Sequence, residues 1–234
     1  MLKACLNGGR GRQAHPAVPL TAAELAADAA RCAALGVAAV HVHPRDEAGV
    51  ESLRPAVIAD ALTAIRTARP GLPVGVSTGA WIVPDPAARV AAVRAWPVLP
   101  DFASVNAHEP GAEAVAAALH ERGVLVEAGL WTLDAVAAYR RWRVPAGRVL
   151  VECMAEDVAV ALADASRVLA ALPPDAPSVL LHAEGPATWP VLAEAVRRGL
   201  DTRIGLEDTL CLPDGSPAAD NAALVAAAVA VGAS

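Results

Sequence analysis

Two histidines lie one residue apart in the stretch AAVHVHPRDEAG, residues 38–49, at the end of a predicted short buried strand. Side chains on a strand alternate between its two faces, so His41 and His43 point to one side and the valines beside them to the other. Two imidazoles aimed at one point are typical of a divalent metal site, and a catalytic zinc ion needs a third protein ligand as well. The alternative is a pair of neutral histidines hydrogen-bonded to carboxylates.

Short β-rich segments recur along the chain, and each is followed by a stretch with helical spacing. The predicted strands are LKACLN, AAVHVH, LPVGVS, DFASVN, GVLVEAG, RVLVECM, SVLLHAEG and TRIGLED. Thr21 with Glu24 three residues later predicts a helix start, and Gly123 before the fifth strand predicts a helix end. Strand–helix repeats without a linker over 234 residues predict one α/β domain, residues 1–234, folded as a closed (β/α)8 TIM barrel.

The strand faces opposite the valines become polar toward the carboxyl end of each strand. In a TIM barrel the active site forms at this end. The predicted inward-facing polar residues are Asn7, His41, His43, Ser77, Ser104, Asn106, Glu127, Glu152, His182, Glu184, Arg203 and Glu207. Buried polar groups cost free energy when they stay unpaired, so this concentration favours a functional site over a self-contained layer of hydrogen bonds.

Glu207, near the end of the eighth predicted strand, is the predicted third metal ligand. The second and eighth strands of a barrel place inward side chains in the same layers, and only the first strand separates them. His182 on the seventh strand competes for this place from one strand farther away. Asp208 follows Glu207, and Arg203 on the same strand would keep that carboxylate ionised and oriented. The pattern favours metal-assisted carbonyl chemistry with a carboxylate base, and its alternative is an ordinary ion pair at a strand end.

Composition and missing motifs exclude several other functions. The net charge is -6 and the 19 basic residues are scattered. The chain therefore lacks the basic stripe that would predict a nucleic-acid partner. No apolar segment reaches the ~18 residues of a membrane span, and no signal peptide is recognisable, so we expect a cytoplasmic protein with reduced cysteines. Lys3, the only lysine, starts the first strand and lies far from the site, which excludes a Schiff-base aldolase. The chain has no GxSxG elbow.

These segments together resemble the β-keto acid cleavage enzymes. The resemblance runs from residue 4 to about 210 and is carried by NGGR, HVHPRD, VSTGA, SVN, VEAGL and RIGLEDTL. It implies a zinc-dependent TIM barrel that converts a β-keto acid and acetyl-CoA into acetoacetate and a new acyl-CoA. It also implies a homo-oligomer, a dimer or a tetramer.

The resemblance implies a role for each matched residue. His41, His43 and Glu207 would hold the zinc ion, Asp208 would be the base, and Arg203 would be its partner. Ser77 would be a polar group at the reacting carbonyl. The residues expected to contact substrate are Asn7, Arg10, Ser104, Asn106 and Glu127.

Arg10 departs from the pattern of members that act on amino substrates, which carry an acidic residue at this place. A guanidinium would repel a protonated amine and favour a carboxylate or a neutral tail, although Glu127 could still bind an amine. We therefore predict that 3-keto-5-aminohexanoate is not the best substrate. Trp81 and Trp131, just past the third and fifth strands, are expected in the pocket wall, in a subunit contact or in simple packing.

Two other functions remain open on the sequence. A metal-dependent hydrolase of the amidohydrolase type also uses HxH, but on its first strand and with further histidines on strands five and six, where this chain has Glu127 and Glu152. The other function is a barrel that binds a small ligand without turnover. Such a barrel does not need Asp208 and Arg203, which are both present.

Overall fold

The computed structural model describes residues 1–234, in which parallel strands alternate with helices from the first element to the last. The strands are β1 (Leu2–Cys5), β2 (Ala39–Val42), β3 (Val74–Ser77), β4 (Phe102–Asn106), β5 (Leu125–Leu130), β6 (Arg148–Cys153), β7 (Ser178–Ala183) and β8 (Thr202–Ile204). The helices are α1 (Ala22–Ala34), α2 (Pro55–Ala68), α3 (Pro86–Ala95), α4 (Ala112–Glu121), α5 (Leu133–Tyr139), α6 (Val158–Ala171), α7 (Thr188–Arg198) and α8 (Asn221–Ala230). Each of the predicted strands is present.

The strands form one 8-stranded sheet in the order β7-β6-β5-β4-β3-β2-β1-β8. The gap between the outer strands of this order is closed by backbone hydrogen bonds. Leu181 N donates to Asp201 O at 2.9 Å, and Asp201 N donates to Val179 O at 3.1 Å. The sheet is therefore a closed parallel barrel, which confirms the predicted TIM-barrel fold.

The outer face of the barrel is apolar because the valine positions of the strands lie against the helices. Val40, Val42 and Val126 are buried in the core between strands and helices. The predicted start of α1 is also confirmed: Glu24 N donates to Thr21 Oγ1 at 3.2 Å, and Thr21 N donates to Glu24 Oε2 at 3.1 Å. No helix combines the length and the apolar character that crossing a bilayer requires.

A network of paired charges fills the amino end of the barrel interior. Lys3 Nζ lies 2.6 Å from Glu127 Oε2, and Arg148 Nη1 lies 2.6 Å from Glu127 Oε1. The ammonium of Lys3 also lies 5.1 Å from the centre of the Phe102 ring. Both oxygens of Glu127 are thus occupied, and its side chain is fully buried. The structure places Glu127 in this network and not in the cavity at the opposite end, where the sequence pattern had placed it.

Candidate active site

A cavity of about 380 Å³ opens at the carboxyl end of the barrel. The predicted site residues that line it are Arg10, His41, His43, Ser77, Ser104, Asn106, Arg203 and Glu207. Glu152, Glu184, Trp81 and Trp131 line it as well. The structure thus brings together most of the predicted residues, because parallel strands all end on the same side of a barrel. Asn7 and Asp208 lie behind the cavity surface, and each is fully buried.

Three donor groups converge at one wall of the cavity. His41 Nε2 lies 3.1 Å from His43 Nε2, and His43 Nε2 lies 3.7 Å from Glu207 Oε2. One donor atom from each of the three residues lies within 4.8 Å of the others, and all three side chains are buried. Glu207 Oε2 and His41 Nδ1 have no hydrogen-bond partner.

This donor set fits a divalent metal ion. Two histidines and one glutamate are a ligand set of catalytic zinc sites, which keep a further position open for water or substrate. Burial, reinforced by the facing ring of His43, lowers the pKa of His41 well below its ordinary value. The neutral ring is the form that binds a metal. Two histidines that pair only with protein carboxylates, the alternative from the sequence, would leave Glu207 Oε2 buried without a partner.

The loop after β1 fixes the positions of these ligands. Asn7 Nδ2 donates to His43 O and His43 N donates to Asn7 Oδ1, both at 2.9 Å, so this side chain pins the end of β2. Gly8 has a φ of +52°, and a Cβ atom there would lie 2.4 Å from Glu207 Cγ. Arg10 Nε donates to Glu207 O at 3.1 Å. Asn7 therefore supports the ligands from behind, while Arg10 both supports them and lines the cavity.

Glu51 is a site residue that the sequence reasoning missed. Its Oε1 atom lies 2.5 Å from His43 Nδ1 and accepts a hydrogen bond from Trp81 Nε1 at 3.2 Å. A carboxylate on one ring nitrogen turns the other nitrogen of a histidine toward a metal. Burial opposes ionisation of Glu51, but the hydrogen bonds from His43 and Trp81 and the charges of His43 and Arg45 together outweigh it and lower the pKa of the carboxyl. The available signal was the Asp46–Gly49 turn, which brings the chain back beside β2.

Arg203 and Asp208 form a buried pair next to Glu207. Arg203 donates to Asp208 Oδ1 from Nε at 3.0 Å and from Nη2 at 2.7 Å, and its Nη2 lies 3.0 Å from Glu207 Oε1. Asp208 Oδ2 has no partner. Burial raises the pKa of Asp208 to about 8, although the guanidinium of Arg203 opposes the shift. The sequence pattern predicts that Arg203 keeps this carboxylate ionised, but it does not reveal the complete burial of Asp208.

The opposite wall offers neutral hydrogen-bonding groups. Ser77 Oγ accepts from Gly79 N at 3.2 Å, so its own proton is free to point into the cavity. Asn106 Nδ2 donates to Glu109 Oε1 at 2.9 Å, and Glu109 is held by a buried ion pair with Arg89 at 2.6 Å. These contacts fix the Asn106 side chain, which borders the cavity together with Ser104.

A (β/α)8 barrel with such a donor group at its carboxyl end defines the class of metal-dependent TIM-barrel enzymes. The family model for the beta-keto acid cleavage enzyme matches residues 1–234. The chain therefore belongs to this family. The group His41, His43 and Glu207, which the resemblance predicted as ligands, is the one whose donor atoms converge.

Solved structures share the fold at low sequence identity. The apo structure of ObcA is 16% identical with a TM-score of 0.70, and the match covers 90% of this chain and 61% of the ObcA chain. The N-acetylmannosamine-6-phosphate 2-epimerase from Clostridium perfringens is 13% identical with a TM-score of 0.60, and the match covers 89% of this chain and 87% of the epimerase. These matches show the barrel fold, and this chain spans less than two thirds of ObcA. A search of the curated proteins finds no match.

Proposed function

We propose that this protein cleaves a β-keto acid with acetyl-CoA and releases acetoacetate and a new acyl-CoA. The observation that carries the proposal is the convergence of His41, His43 and Glu207 beside the Arg203–Asp208 pair, in a chain of this family. ObcA, a barrel of the same fold, has been solved with oxaloacetate, which is a β-keto acid, and with a C4-CoA adduct and oxalate. These ligands support a site that accepts both kinds of substrate.

We propose zinc as the metal and the three converging residues as its ligands. When bound, zinc polarises the ketone of the substrate and stabilises negative charge on its oxygen. The hydroxyl of Ser77 donates a hydrogen bond to a reacting carbonyl oxygen, and Ser104 and Asn106 contact the substrate from the same wall. Arg203 orients the carboxylate of the keto acid and of Asp208 through charge-assisted hydrogen bonds.

Asp208 is the proposed base for the methylene between the ketone and the carboxylate of the substrate. Its free Oδ2 atom takes one proton from this carbon, and the resulting carbanion attacks the thioester carbon of acetyl-CoA. A base that accepts a proton near neutral pH suits the task, and burial raises the pKa of Asp208 in this direction. Asp208 is fully buried, so the substrate meets this atom only after neighbouring side chains move.

The preference of the cavity for the substrate tail stays a prediction. Arg10 lines the cavity, which favours a neutral or acidic tail over 3-keto-5-aminohexanoate, and Glu127 is occupied by Lys3 and Arg148. Glu152 and Glu184 are the other acidic groups in the wall that an amine could meet. We also propose, from the family alone, a cytoplasmic homo-oligomer, a dimer or a tetramer, which light scattering after gel filtration would test.

The test is mass spectrometry of the products formed from acetyl-CoA and a panel of β-keto acids with amino, neutral and acidic tails. The zinc-loaded protein is compared with His41→Ala and with His120→Ala, a matched control on the exposed surface of α4. Acetoacetate and an acyl-CoA that form with the control and vanish with His41→Ala support the proposal. A protein that binds zinc but makes no product from any member of the panel contradicts it and favours the hydrolase alternative.

A further inference from the structure

Glu152 and His182 form a buried pair that the reaction above does not use. They are register partners on β6 and β7, and Glu152 lines the cavity while His182 lies behind it. His182 is 1% exposed. Its Nε2 lies 3.6 Å from Glu152 Oε2, its Nδ1 lies 3.9 Å from Asp208 Oδ1, and neither ring nitrogen has a hydrogen-bond partner.

Packing does not account for this pair. A buried imidazole without hydrogen bonds costs free energy that an apolar side chain on β7 would not. Burial, with the charges of Arg203 and Lys3, lowers the pKa of His182 well below its ordinary value, so the ring is neutral. Unpartnered titratable groups in the wall of a cavity mark places where protons are moved.

Four titratable groups face the carboxyl of Glu152 from the neighbouring elements. They are His182 on β7, Glu184 after β7, Arg203 on β8 and Glu207 after β8. Burial raises the pKa of Glu152 to about 7; Arg203 opposes this shift, and the two glutamates add to it. This raised pKa suits proton exchange near neutral pH, and the ion pair that Glu152 forms is with His182 and not with one of the three converging donor residues.

The proposed reaction requires a second proton carrier. Asp208 serves the carbon, but the sulfur of CoA must also leave as a thiol and return as a nucleophile. A thiol has an ordinary pKa of about 8.5, and an acid–base group with a pKa near the working pH assists both steps. Glu152 lies four strands from β2 in the 8-stranded order, across the barrel from His41 and His43. Glu152 lines the same cavity as those histidines, so a thioester bound between them would bring its sulfur to this carboxyl.

We infer that Glu152 is the acid–base residue for the CoA sulfur and that His182 is the residue that positions it. As the C–S bond of acetyl-CoA breaks, the bonding pair goes to sulfur and the carboxyl of Glu152 gives it a proton. The carboxylate takes the same proton back when sulfur attacks the ketone carbon and the C–C bond breaks. Asp208 then returns its proton to the methylene carbon of acetoacetate, so no net proton is consumed. The inference rests on the proposed function.

The first test varies the thiol that leaves. Acetyl-CoA is compared with S-phenyl thioacetate, whose thiol is more acidic and needs less assistance, using wild type, Glu152→Gln and, as a second cavity carboxyl, Glu184→Gln. We expect Glu152→Gln to lower kcat about 100-fold with acetyl-CoA and less than about 10-fold with the phenyl ester. Glu184→Gln should show no such difference between the two esters. Equal losses of Glu152→Gln with both esters overturn the inference.

The second test separates this inference from the proposed function. Exchange of the substrate methylene hydrogens into D₂O, followed by NMR without any thioester, reports the carbon step alone. Exchange that persists in Glu152→Gln and is lost in Asp208→Asn supports separate roles, and exchange lost in both variants overturns them. Wild-type protein with neither exchange nor product contradicts the proposed function itself.

The role of His182 has its own readout. Activity with acetyl-CoA should fall on the alkaline side of the pH profile, because Glu152 must carry its proton when the sulfur leaves. His182→Asn should shift the pH at which activity falls. Glu152→Asp should leave this pH dependence in place and have a higher kcat than Glu152→Gln. An unchanged pH dependence in a folded His182→Asn variant contradicts the positioning role.

Discussion

The two ends of the barrel interior both bury charged residues, but they treat them differently. At the amino end, Lys3 and Arg148 each lie 2.6 Å from an oxygen of Glu127. At the carboxyl end, buried atoms of His41, His182, Glu207 and Asp208 have no hydrogen-bond partner. The same fold thus holds an ionic network in which both oxygens of Glu127 are paired and, at the other end of the barrel axis, a cluster whose carboxylates and imidazoles keep unpartnered atoms.

This difference separates stability from function. Removing one member of a paired buried network leaves an uncompensated charge and destabilises the fold. Removing a group that is already unpaired instead relieves the free-energy cost of burying it, so the fold tolerates the substitution. A ligand that depends on this group is then no longer bound. The amino end is therefore expected to respond to substitution in unfolding experiments, and the carboxyl end in binding and turnover.

The largest expected effect is the loss of turnover in His41→Ala. We expect activity to fall about 10⁴-fold, roughly 5.5 kcal/mol, because the metal can no longer be held at the reacting ketone. The free energy of unfolding of the metal-free protein should stay the same or rise. Urea unfolding with a chelator present, together with steady-state kinetics, checks both halves. A His41→Ala protein that unfolds more easily but turns over normally would contradict the assignment of function to the carboxyl end of the barrel.

Lys3→Met is expected to destabilise the fold by about 3–5 kcal/mol, because it leaves a fully buried glutamate with half of its partners. Urea unfolding measures this loss. The affinity of the folded variant for zinc should not change, since Lys3 lies at the other end of the barrel. The double variant Lys3→Met with Glu127→Leu should recover part of the stability. A loss below about 1 kcal/mol in Lys3→Met would show that the network is not a stabilising pair.

The pH dependence of stability should expose the buried carboxyl of Glu152. Its pKa is raised to about 7 in the folded protein from an ordinary 4.5, so the folded state binds more protons than the unfolded state between these values. Stability should therefore fall as the pH rises from 4.5 to about 7 and stay lower above that. Glu152→Gln should remove about 3 kcal/mol of this fall. Chelated protein, unfolded in urea across this pH range, gives the measurement, and equal slopes for the two proteins would refute it.

Thr21→Ala is the smallest expected effect and belongs to neither end of the interior. The capping box of α1 loses one of its two hydrogen bonds, so we expect a loss of about 1 kcal/mol in the free energy of unfolding. Turnover and zinc affinity should match wild type. A change in turnover or in zinc affinity would show that the start of α1 influences the site, and would contradict the separation of stability from function.

The sequence predicts the barrel and the convergence of His41 and His43 with Glu207 well, because both depend on strand parity. Alternating valines fix which face of β2 turns inward, and this also directs His41 and His43 into the barrel. Parity does not give the height of a residue along the barrel axis, which depends on register between tilted strands. Glu127 pairs in register with Arg148 at the start of β6, so it lies at the amino end.

Loop residues were beyond the reach of periodicity. Glu51 reaches His43 only because a turn folds the chain back after Asp46, and no alternation marks such a return. Asp208 shows a related limit. The sequence shows which residues precede and follow it, but its complete burial, which raises its pKa, comes from the packing of separate strands. The types of the groups were predictable, whereas their depth and hydrogen-bond partners were not.

The most direct test of the account is the stabilisation of the protein by zinc. The free energy of unfolding is measured by urea titration with chelator and then with zinc, for wild type, His41→Ala and His120→Ala. Free zinc at 100 times its dissociation constant should stabilise wild type and His120→Ala by about 2.7 kcal/mol and leave His41→Ala unchanged. Equal stabilisation of all three proteins, or of none, would contradict the claim that the unpaired cluster at the carboxyl end is a metal site.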